Sequence, residues 1–147
     1  FTQKVDWKDL DFIIVDMPPG TGDTQLTFAQ EISMDGVIIV STPQELALQD
    51  VKRGIAMFDK LNVNIIGLVD NMSFFLGDDG KKYNIFGDGG VKRTSEEFKK
   101  KFLGEIPINS EVGKFGDLGK PIVESMPDHE ISKIYANFAE QVKSTYL

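Results

Sequence analysis

Three short, mainly apolar runs stand out along the chain, and a polar residue follows each of them. A strand that is buried on both faces reads as a continuous apolar run, as is typical of parallel sheets. We therefore predict three parallel strands whose carboxyl ends carry polar groups at one edge of a sheet. The runs are Phe12–Val15, Val37–Val40 and Ile65–Val69.

Helical periodicity separates these runs. Between the second and third runs, apolar residues recur three and four positions apart from Glu45 to Leu61, which predicts one face of a helix. Shorter helices are expected near 23–33 and 94–102, a further strand at 103–108, a glycine-rich loop at 110–121 and a last helix at 128–146. The alternation predicts an α/β fold, a mostly parallel sheet with flanking helices, in a single domain spanning 1–147.

Composition narrows the class of protein. The chain has 147 residues, 41% of them hydrophobic, which is enough for one ordinary core. A net charge of -7 argues against a general nucleic-acid or anionic-membrane surface, because such surfaces gain affinity from basic groups. There are no cysteines and only one histidine, so neither a thiolate metal site nor a histidine cluster is expected. Without a recognisable targeting segment, a cytoplasmic protein is the expectation.

The most informative stretch is FIIVDMPPGTGD, residues 12–23. Its apolar run leads into Asp16, and the two following prolines force the chain out of the sheet. Gly20 and Gly22 then allow a ligand to approach the backbone closely. An aspartate that only caps the next turn is the structural alternative.

This stretch resembles the second acidic motif (Walker B) of P-loop nucleotidases, and DMPPGTGD is similar in particular to the Mrp or ApbC family of iron-sulfur cluster carrier ATPases, relatives of MinD and ParA. The resemblance implies that Asp16 holds Mg²⁺ through water and that the Gly20 amide senses the γ-phosphate. Asp23 faces the same region and is a candidate for orienting water, although a helix N-cap explains it equally well.

Asn71 follows the third predicted strand. A carboxamide carries a donor and an acceptor, which matches the N7 and N6 edge of adenine. The segment NMSFF resembles the Mrp version of an asparagine that holds the base, whereas an Asx turn is the structural alternative. Pro107 and Asn109 in IPIN resemble a family segment that closes over the adenine ring, and a strand turning into a loop explains them equally well.

The segment 74–90 is predicted to be an irregular loop that replaces the family's cluster-binding segment. Mrp-like sequences carry paired cysteines here, which bind an iron-sulfur cluster between two subunits. Aligned on NMS, this chain has Gly77 and Gly80 at those positions, and neither offers a ligand. A hairpin tip with DDG turn chemistry is the preferred account of 77–82. The downstream IFGDGG still resembles the family's IFGxGG.

The phosphate-binding loop of a P-loop fold is not recognised. It lies between the first strand and first helix of that fold, and only about ten residues precede the first predicted strand here. GDGGVKRT, residues 87–94, superficially resembles GxxxxGK[ST] but has Lys92 where glycine is needed and Arg93 where lysine is needed. The resemblance therefore implies a P-loop fold of MinD and ParA type that is incomplete at the N-terminus.

Taken as a whole, the resemblance implies the C-terminal portion of an Mrp-type nucleotide-binding domain. The intact protein is expected to bind ATP and Mg²⁺ as a homodimer, to hydrolyse ATP and to deliver iron-sulfur clusters to apoproteins, while this chain alone is inactive. A partitioning or positioning ATPase of ParA and MinD type is the first alternative. A non-catalytic scaffold is the second.

Overall fold

The computed structural model describes residues 5–18 and 22–146. These residues form six helices and four strands within the described ranges. The helices are α1 (Asp23–Glu31), α2 (Glu45–Lys60), α3 (Gly90–Glu97), α4 (Ser110–Asp117), α5 (Ile122–Ser125) and α6 (Glu130–Tyr146), and the strands are β1 (Val37–Ser41), β2 (Ile65–Leu76), β3 (Lys82–Tyr83) and β4 (Phe102–Ile108).

The long strand β2 is the centre of the sheet. Both β1 and β4 pair with it in parallel, one on each side, and the short β3 pairs antiparallel with its last residues. The predicted strands at Val37–Val40 and Ile65–Val69 are thus confirmed, as are their parallel orientation and the helical crossover between them. The carboxyl ends of the parallel strands β1 and β4 therefore lie at the same edge of the sheet, beside the middle and second half of β2.

Helices cover both faces of this sheet. On one face, α2 and α3 pack against β1 and β2 through Leu48, Ile55, Leu68 and Val91, which are almost fully buried. On the other face, α6 packs against β2 and β4 through Phe138 and its apolar neighbours. The two layers bury the apolar faces of all three helices and fix the sheet between them.

The expected first strand is absent, so that prediction is wrong for this structure. Phe12–Val15 adopts no regular secondary structure, and its four side chains are 41%, 47%, 93% and 43% exposed. An isolated apolar strand gains nothing without a neighbouring strand to satisfy its backbone groups. Among the described residues, none pairs with this segment.

Two expected loops are more ordered than predicted. In the segment 74–90, which was predicted to be an irregular loop with a hairpin tip at 77–82, residues 74–83 form that hairpin, because β2 continues to Leu76 and pairs with β3. The segment 110–121 contains α4, whose first turn is capped by the Asn109 side chain accepting from the Glu111 N–H at 2.8 Å. Within the described ranges, no helix combines the length and the apolar character needed to cross a membrane.

Candidate functional site

The carboxyl edge of the sheet brings polar residues from three neighbouring strands together. Ser41 of β1, Asp70 of β2 and Glu105 of β4 occupy paired positions in the parallel register. Asn71 is the next residue along β2 and pairs with Ile106. This is the rim at which open α/β sheets bind ligands.

Asn71 lies half-buried one residue past the end of the pairing with β1, where the register of β2 with β4 is interrupted before Phe75 pairs with Ile108. Its Oδ1 accepts a hydrogen bond from the Met72 N–H at 3.0 Å, and Met72 adopts a left-handed φ of 54°. This bond reaches only one residue along the chain, whereas the Asx turn that the sequence offered as the structural alternative reaches two. The second lone pair of Oδ1 and the Nδ2 donor have no partner among the described residues, so the side chain keeps a donor and an acceptor for a base.

Asp70 is a functional-site candidate that sequence reasoning did not single out. Its side chain is fully buried, and within the described ranges neither Oδ atom has a hydrogen-bond partner. Burial, together with the charge of Glu105, raises the pKa of the Asp70 carboxyl to about 6. The only signal in the sequence was an acidic residue directly after an apolar run.

The hydroxyl of Ser41, the residue that pairs with Asp70 in β1, does not compensate for this burial. It donates to the Thr42 carbonyl at 3.1 Å. The carboxyl of Asp70 therefore lies in an environment that favours its neutral form.

The residues of the DMPPGTGD motif are only partly described. Asp16 is exposed and lies in the irregular segment that leads towards α1. Gly20 lies outside the described residues, and Asp23 is the first residue of α1. The Gln25 side-chain amide donates to the Pro18 carbonyl, so Pro18 lies against the first turn of that helix.

Pro107 and Asn109 lie at the end of β4 and are half-buried. The Asn109 carboxamide caps α4, whereas the structural alternative for this residue was a strand turning into a loop. Pro107 follows Ile106, whose carbonyl accepts the Ser73 hydroxyl at 3.1 Å. Both residues are on the same carboxyl edge as Asn71, because β4 is parallel to β2.

The GDGG loop has a steric function in this fold. A Cβ at Gly87 would lie 2.9 Å from the Pro43 carbonyl oxygen, and one at Gly90 would lie 2.8 Å from the same atom. Gly87 also has a positive φ of 122°. The glycines therefore let the start of α3 pack directly on the loop that follows β1, which accounts for this motif without a phosphate.

The hairpin tip offers no cluster ligand among its described residues. The Asp79 carboxylate accepts from the Lys81 N–H at 3.0 Å and from the Tyr83 hydroxyl at 2.9 Å, and these bonds hold its pKa below the ordinary value. Gly80 has a left-handed φ of 73°. Asp79 thus stabilises the turn. No group of three or more metal-ligating side chains occurs in the described ranges.

The described residues fit only part of a magnesium-nucleotide site. Among the candidates, Asp16 has a carboxylate of the kind that would hold a hydrated cation, and Asn71 has a carboxamide of the kind that would bind a base. A glycine-rich loop with a lysine to hold the phosphates is not found among the described residues. No step of phosphoryl transfer can therefore be derived from these residues alone.

Comparison with protein families gives one match over nearly the full length. A family model described as "ParA: NUBPL iron-transfer P-loop NTPase" matches residues 1–143. The match includes all of the residues discussed above.

Curated proteins of similar sequence carry related descriptions. An iron-sulfur cluster carrier protein of Aquifex aeolicus is 43% identical over 95% of this chain and 39% of its own length. An iron-sulfur protein required for NADH dehydrogenase in Arabidopsis thaliana is 46% identical over 96% of this chain and 45% of its own. The chain therefore spans less than half the length of these relatives.

Two solved structures share the fold. A nucleotide-binding protein from Archaeoglobus fulgidus, in complex with ADP, has 39% identity and a TM-score of 0.70 over 78% of this chain and 47% of its own. The cell division ATPase MinD of Pyrococcus furiosus has 19% identity and a TM-score of 0.73 over 95% of this chain and 54% of its own. The second likeness concerns the fold alone.

Proposed function

Because this chain belongs to the Mrp or ApbC family, the NUBPL-type iron-transfer P-loop NTPases, we propose that it supplies the Walker B and base-binding part of an ATP-binding and ATP-hydrolysing iron-sulfur cluster carrier. The observation that carries the proposal is the family match over residues 1–143. The carboxyl-edge placement of Asn71 supports the same conclusion.

In this proposal different residues of the chain bind different parts of MgATP. Asp16 orients the water shell of Mg²⁺, which neutralises phosphate charge in such sites. Gly20 brings its amide to the γ-phosphate, and Asp23 orients the attacking water. Asn71 holds the adenine edge through its free donor and acceptor, while Pro107 and Asn109 border the base.

The lysines that bind phosphates belong, on this proposal, to the part of the family fold that this chain does not include. The chain covers 39% of the Aquifex relative and 47% of the ADP-bound Archaeoglobus protein. We therefore propose that hydrolysis requires both parts and takes place in a soluble homodimer. Iron-sulfur clusters are cargo in this scheme, and their ligands come from outside this chain, because it has no cysteines.

A covalent chimera tests the proposal. The portion of the Aquifex aeolicus carrier outside its matched segment is joined to this chain, and steady-state ATP hydrolysis is measured. We expect hydrolysis of ATP, and we expect Asn71→Ala to raise the KM for ATP about tenfold with little change in kcat, because one base contact is worth about 1–2 kcal/mol. A matched variant, Asn137→Ala on the outer face of α6, leaves KM unchanged.

Assays of iron-sulfur cluster transfer distinguish the proposed carrier function from the two alternatives, a positioning or partitioning ATPase and a non-catalytic scaffold. The chimera is incubated with iron and sulfide, and transfer of the cluster to an apoprotein is followed by absorbance. Parallel samples are sedimented with liposomes and with DNA. Cluster transfer without cosedimentation supports the carrier. ATP-dependent cosedimentation without transfer indicates a positioning or partitioning ATPase, and a chimera that binds no nucleotide indicates a scaffold.

A further inference from the structure

An open cavity lies at the amino edge of the sheet, opposite the carboxyl edge that carries Asn71. Its volume is about 450 Å³, which is within the size range of small-molecule sites. Two turns and the start of β2 form its walls. One turn follows α2 and contains residues 62–64, and the other joins α3 to β4 and contains the three consecutive lysines of 99–101.

The lining of this cavity is positively charged, although the chain as a whole is acidic. Among the lining residues that the structure describes, three lysines and one aspartate, Asp59, give a net charge of +2, whereas the chain carries -7. The Lys100 Nζ lies 2.6 Å from the Asp59 Oδ1, so the carboxylate is already paired. Lys99 and Lys101 form no ion pair with the described residues, and their charges are therefore available to a ligand.

Backbone hydrogen bonds fix the two turns that carry these groups. In the turn after α2, the Val63 N–H donates to the Phe58 carbonyl at 2.9 Å, and in the turn after α3 the Lys100 N–H donates to the Ser95 carbonyl at 2.8 Å. The ion pair between Lys100 and Asp59 then joins the second turn to the end of α2. A ligand would therefore meet a cavity whose walls are already ordered.

Lys99 has a backbone conformation that lysine disfavours. Its φ is 53°, in the left-handed region where glycine is the usual residue after a helix. Residues held in such conformations cluster at functional sites. Glycine would avoid the strain, whereas lysine accepts it and places a cationic side chain in the lining of the cavity.

The unpaired groups of the lining are hydrogen-bond donors that suit an anion. Each lysine ammonium has three donors and a point charge. The Asn62 carboxamide has no partner among the described residues, and it adds two donors. Phosphate and carboxylate oxygens accept charge-assisted bonds of this kind. Because one charge gains little from an exposed lysine, a ligand with several charges is favoured, since it can contact both lysines.

We propose that this cavity binds a small, multiply charged oxyanion, with Lys99 and Lys101 as its cationic contacts and Asn62 as a neutral donor. The site is separate from the candidate nucleotide site, which lies at the other edge of the sheet. An acidic protein segment is a poorer fit, because both turns and the sheet bound the cavity.

Titration of this chain with inorganic pyrophosphate tests the proposal. Binding is measured by calorimetry and by the backbone amide signals in NMR spectra. We expect saturable binding with a Kd below about 1 mM at low ionic strength, weakened by added salt. The shifted signals should centre on residues 62–64 and 99–101. A parallel titration with citrate assigns the class of anion, since the tighter of the two probes identifies a phosphate or a polycarboxylate ligand.

Two substitutions locate the bound anion. Lys99→Gly relieves the left-handed strain and Lys101→Gln changes an exposed side chain, so both variants should keep the fold. Each should raise the Kd for pyrophosphate at least about fivefold, because one of two unpaired charges is lost. The matched control is Lys92→Gln, which removes an exposed charge at the other end of α3, outside the cavity, and should leave the Kd unchanged.

Several results would overturn the proposal. One is the absence of saturable binding of both anions, and another is binding that Lys99→Gly and Lys101→Gln leave unchanged. An equal loss of affinity in Lys92→Gln would show an effect of overall charge alone. Amide shifts centred on Asn71 would place the anion at the candidate nucleotide site instead. The proposed function is tested separately, since these titrations use the chain alone and the ATPase assay uses the chimera.

Discussion

The Asp70 carboxyl is buried in a position where its negative charge destabilises the folded chain. It is fully buried, has no hydrogen-bond partner among the described residues and has a pKa raised to about 6 from an ordinary 3.8. The folded state therefore binds the proton more tightly than the unfolded state does. The stabilisation that comes from this proton is complete below pH 3.8, and it is lost as the pH rises through 6 and the folded protein releases the proton.

Asp70→Asn should stabilise this chain at pH 7.5 by about 3 kcal/mol. The amide needs no proton to stay neutral, and the shift of the pKa from 3.8 to about 6 corresponds to about 1.4 kcal/mol per pKa unit. At pH 4 the two proteins should differ far less. Urea unfolding at both pH values measures the effect. Asp50→Asn, at an exposed ion pair on α2, is the control and should change stability by less than about 0.5 kcal/mol. A loss of stability in Asp70→Asn at pH 7.5 would mean that the carboxylate has a cationic partner.

Two residues in left-handed backbone follow the C-termini of α2 and α3. Asn62 has a φ of 56° and Lys99 a φ of 53°, and both donate to a carbonyl in the last turn of their helix. Glycine is the usual residue in the left-handed conformation that ends a helix. Asparagine tolerates this conformation, whereas the Cβ of lysine makes it strained.

Lys99→Gly should therefore raise the free energy of unfolding by about 0.5–1 kcal/mol, whereas Asn62→Gly should change it by a smaller amount. Denaturant titration of the three proteins is the measurement. If Lys99→Gly lowers stability, the lysine side chain makes a contact that offsets its backbone strain.

The sequence predicted where a candidate residue lies better than which groups its side chain contacts. Asn71 could be placed at the carboxyl edge because it follows an apolar run, and the edge placement is what β2 shows. The burial of Asp70 depends on neighbours distant in sequence, so it could not be derived from local pattern. The Asn109 cap is local, because Glu111 is two residues away, but 110–121 was expected to be a loop and no helix was predicted for Asn109 to cap.

At the scale of elements, the packing of α3 on the loop after β1 depends on two glycines. A Cβ at Gly90 would lie 2.6 Å from Leu48 Cδ1 as well as 2.8 Å from the Pro43 carbonyl oxygen. The backbone oxygen cannot move as a flexible side chain can. Nothing in the sequence indicated this contact: GDGGVKRT resembled a phosphate loop only superficially, and IFGDGG resembled the family's IFGxGG.

Gly90→Ala should destabilise the chain by about 1–3 kcal/mol through this overlap. The matched control is Gly54→Ala in α2, where a Cβ meets nothing within 4 Å and where alanine should stabilise the helix by about 0.5–1 kcal/mol. Thermal unfolding followed by circular dichroism compares both with the parent. Equal effects of the two substitutions would show that the loop moves away from α3 freely.

The helices and strands with a strong apolar pattern were predicted correctly where a partner is present in the described residues, and the prediction was wrong where none is. The amphipathic helices α2 and α6 and the strands β1 and β2 follow from their apolar spacing. Phe12–Val15 has an equally strong strand pattern, yet it forms no strand, because pairing depends on a neighbour that local sequence does not provide. The hairpin at β2 and β3 was anticipated from its turn residues.

At the scale of the whole molecule, the chain has a two-layered core but only part of a nucleotide site. This chain alone should show no detectable binding of a fluorescent ATP analogue at low micromolar concentration, since the phosphate-binding loop is not found in it. The covalent chimera should bind the analogue in that range. Tight binding by the chain alone would contradict the division of the site between two parts.

The most direct test of the central claim concerns the carboxylate of the DMPPGTGD motif in the chimera. Steady-state ATP hydrolysis is compared between the parent, Asp16→Asn and the matched control Asp11→Asn, which neutralises an exposed carboxylate in the same segment. The account predicts that Asp16→Asn lowers kcat at least a hundredfold, about 2.7 kcal/mol, while Asp11→Asn leaves it unchanged. Hydrolysis by Asp16→Asn at the parental rate would contradict the assignment of this chain as the Walker B part of a nucleotidase.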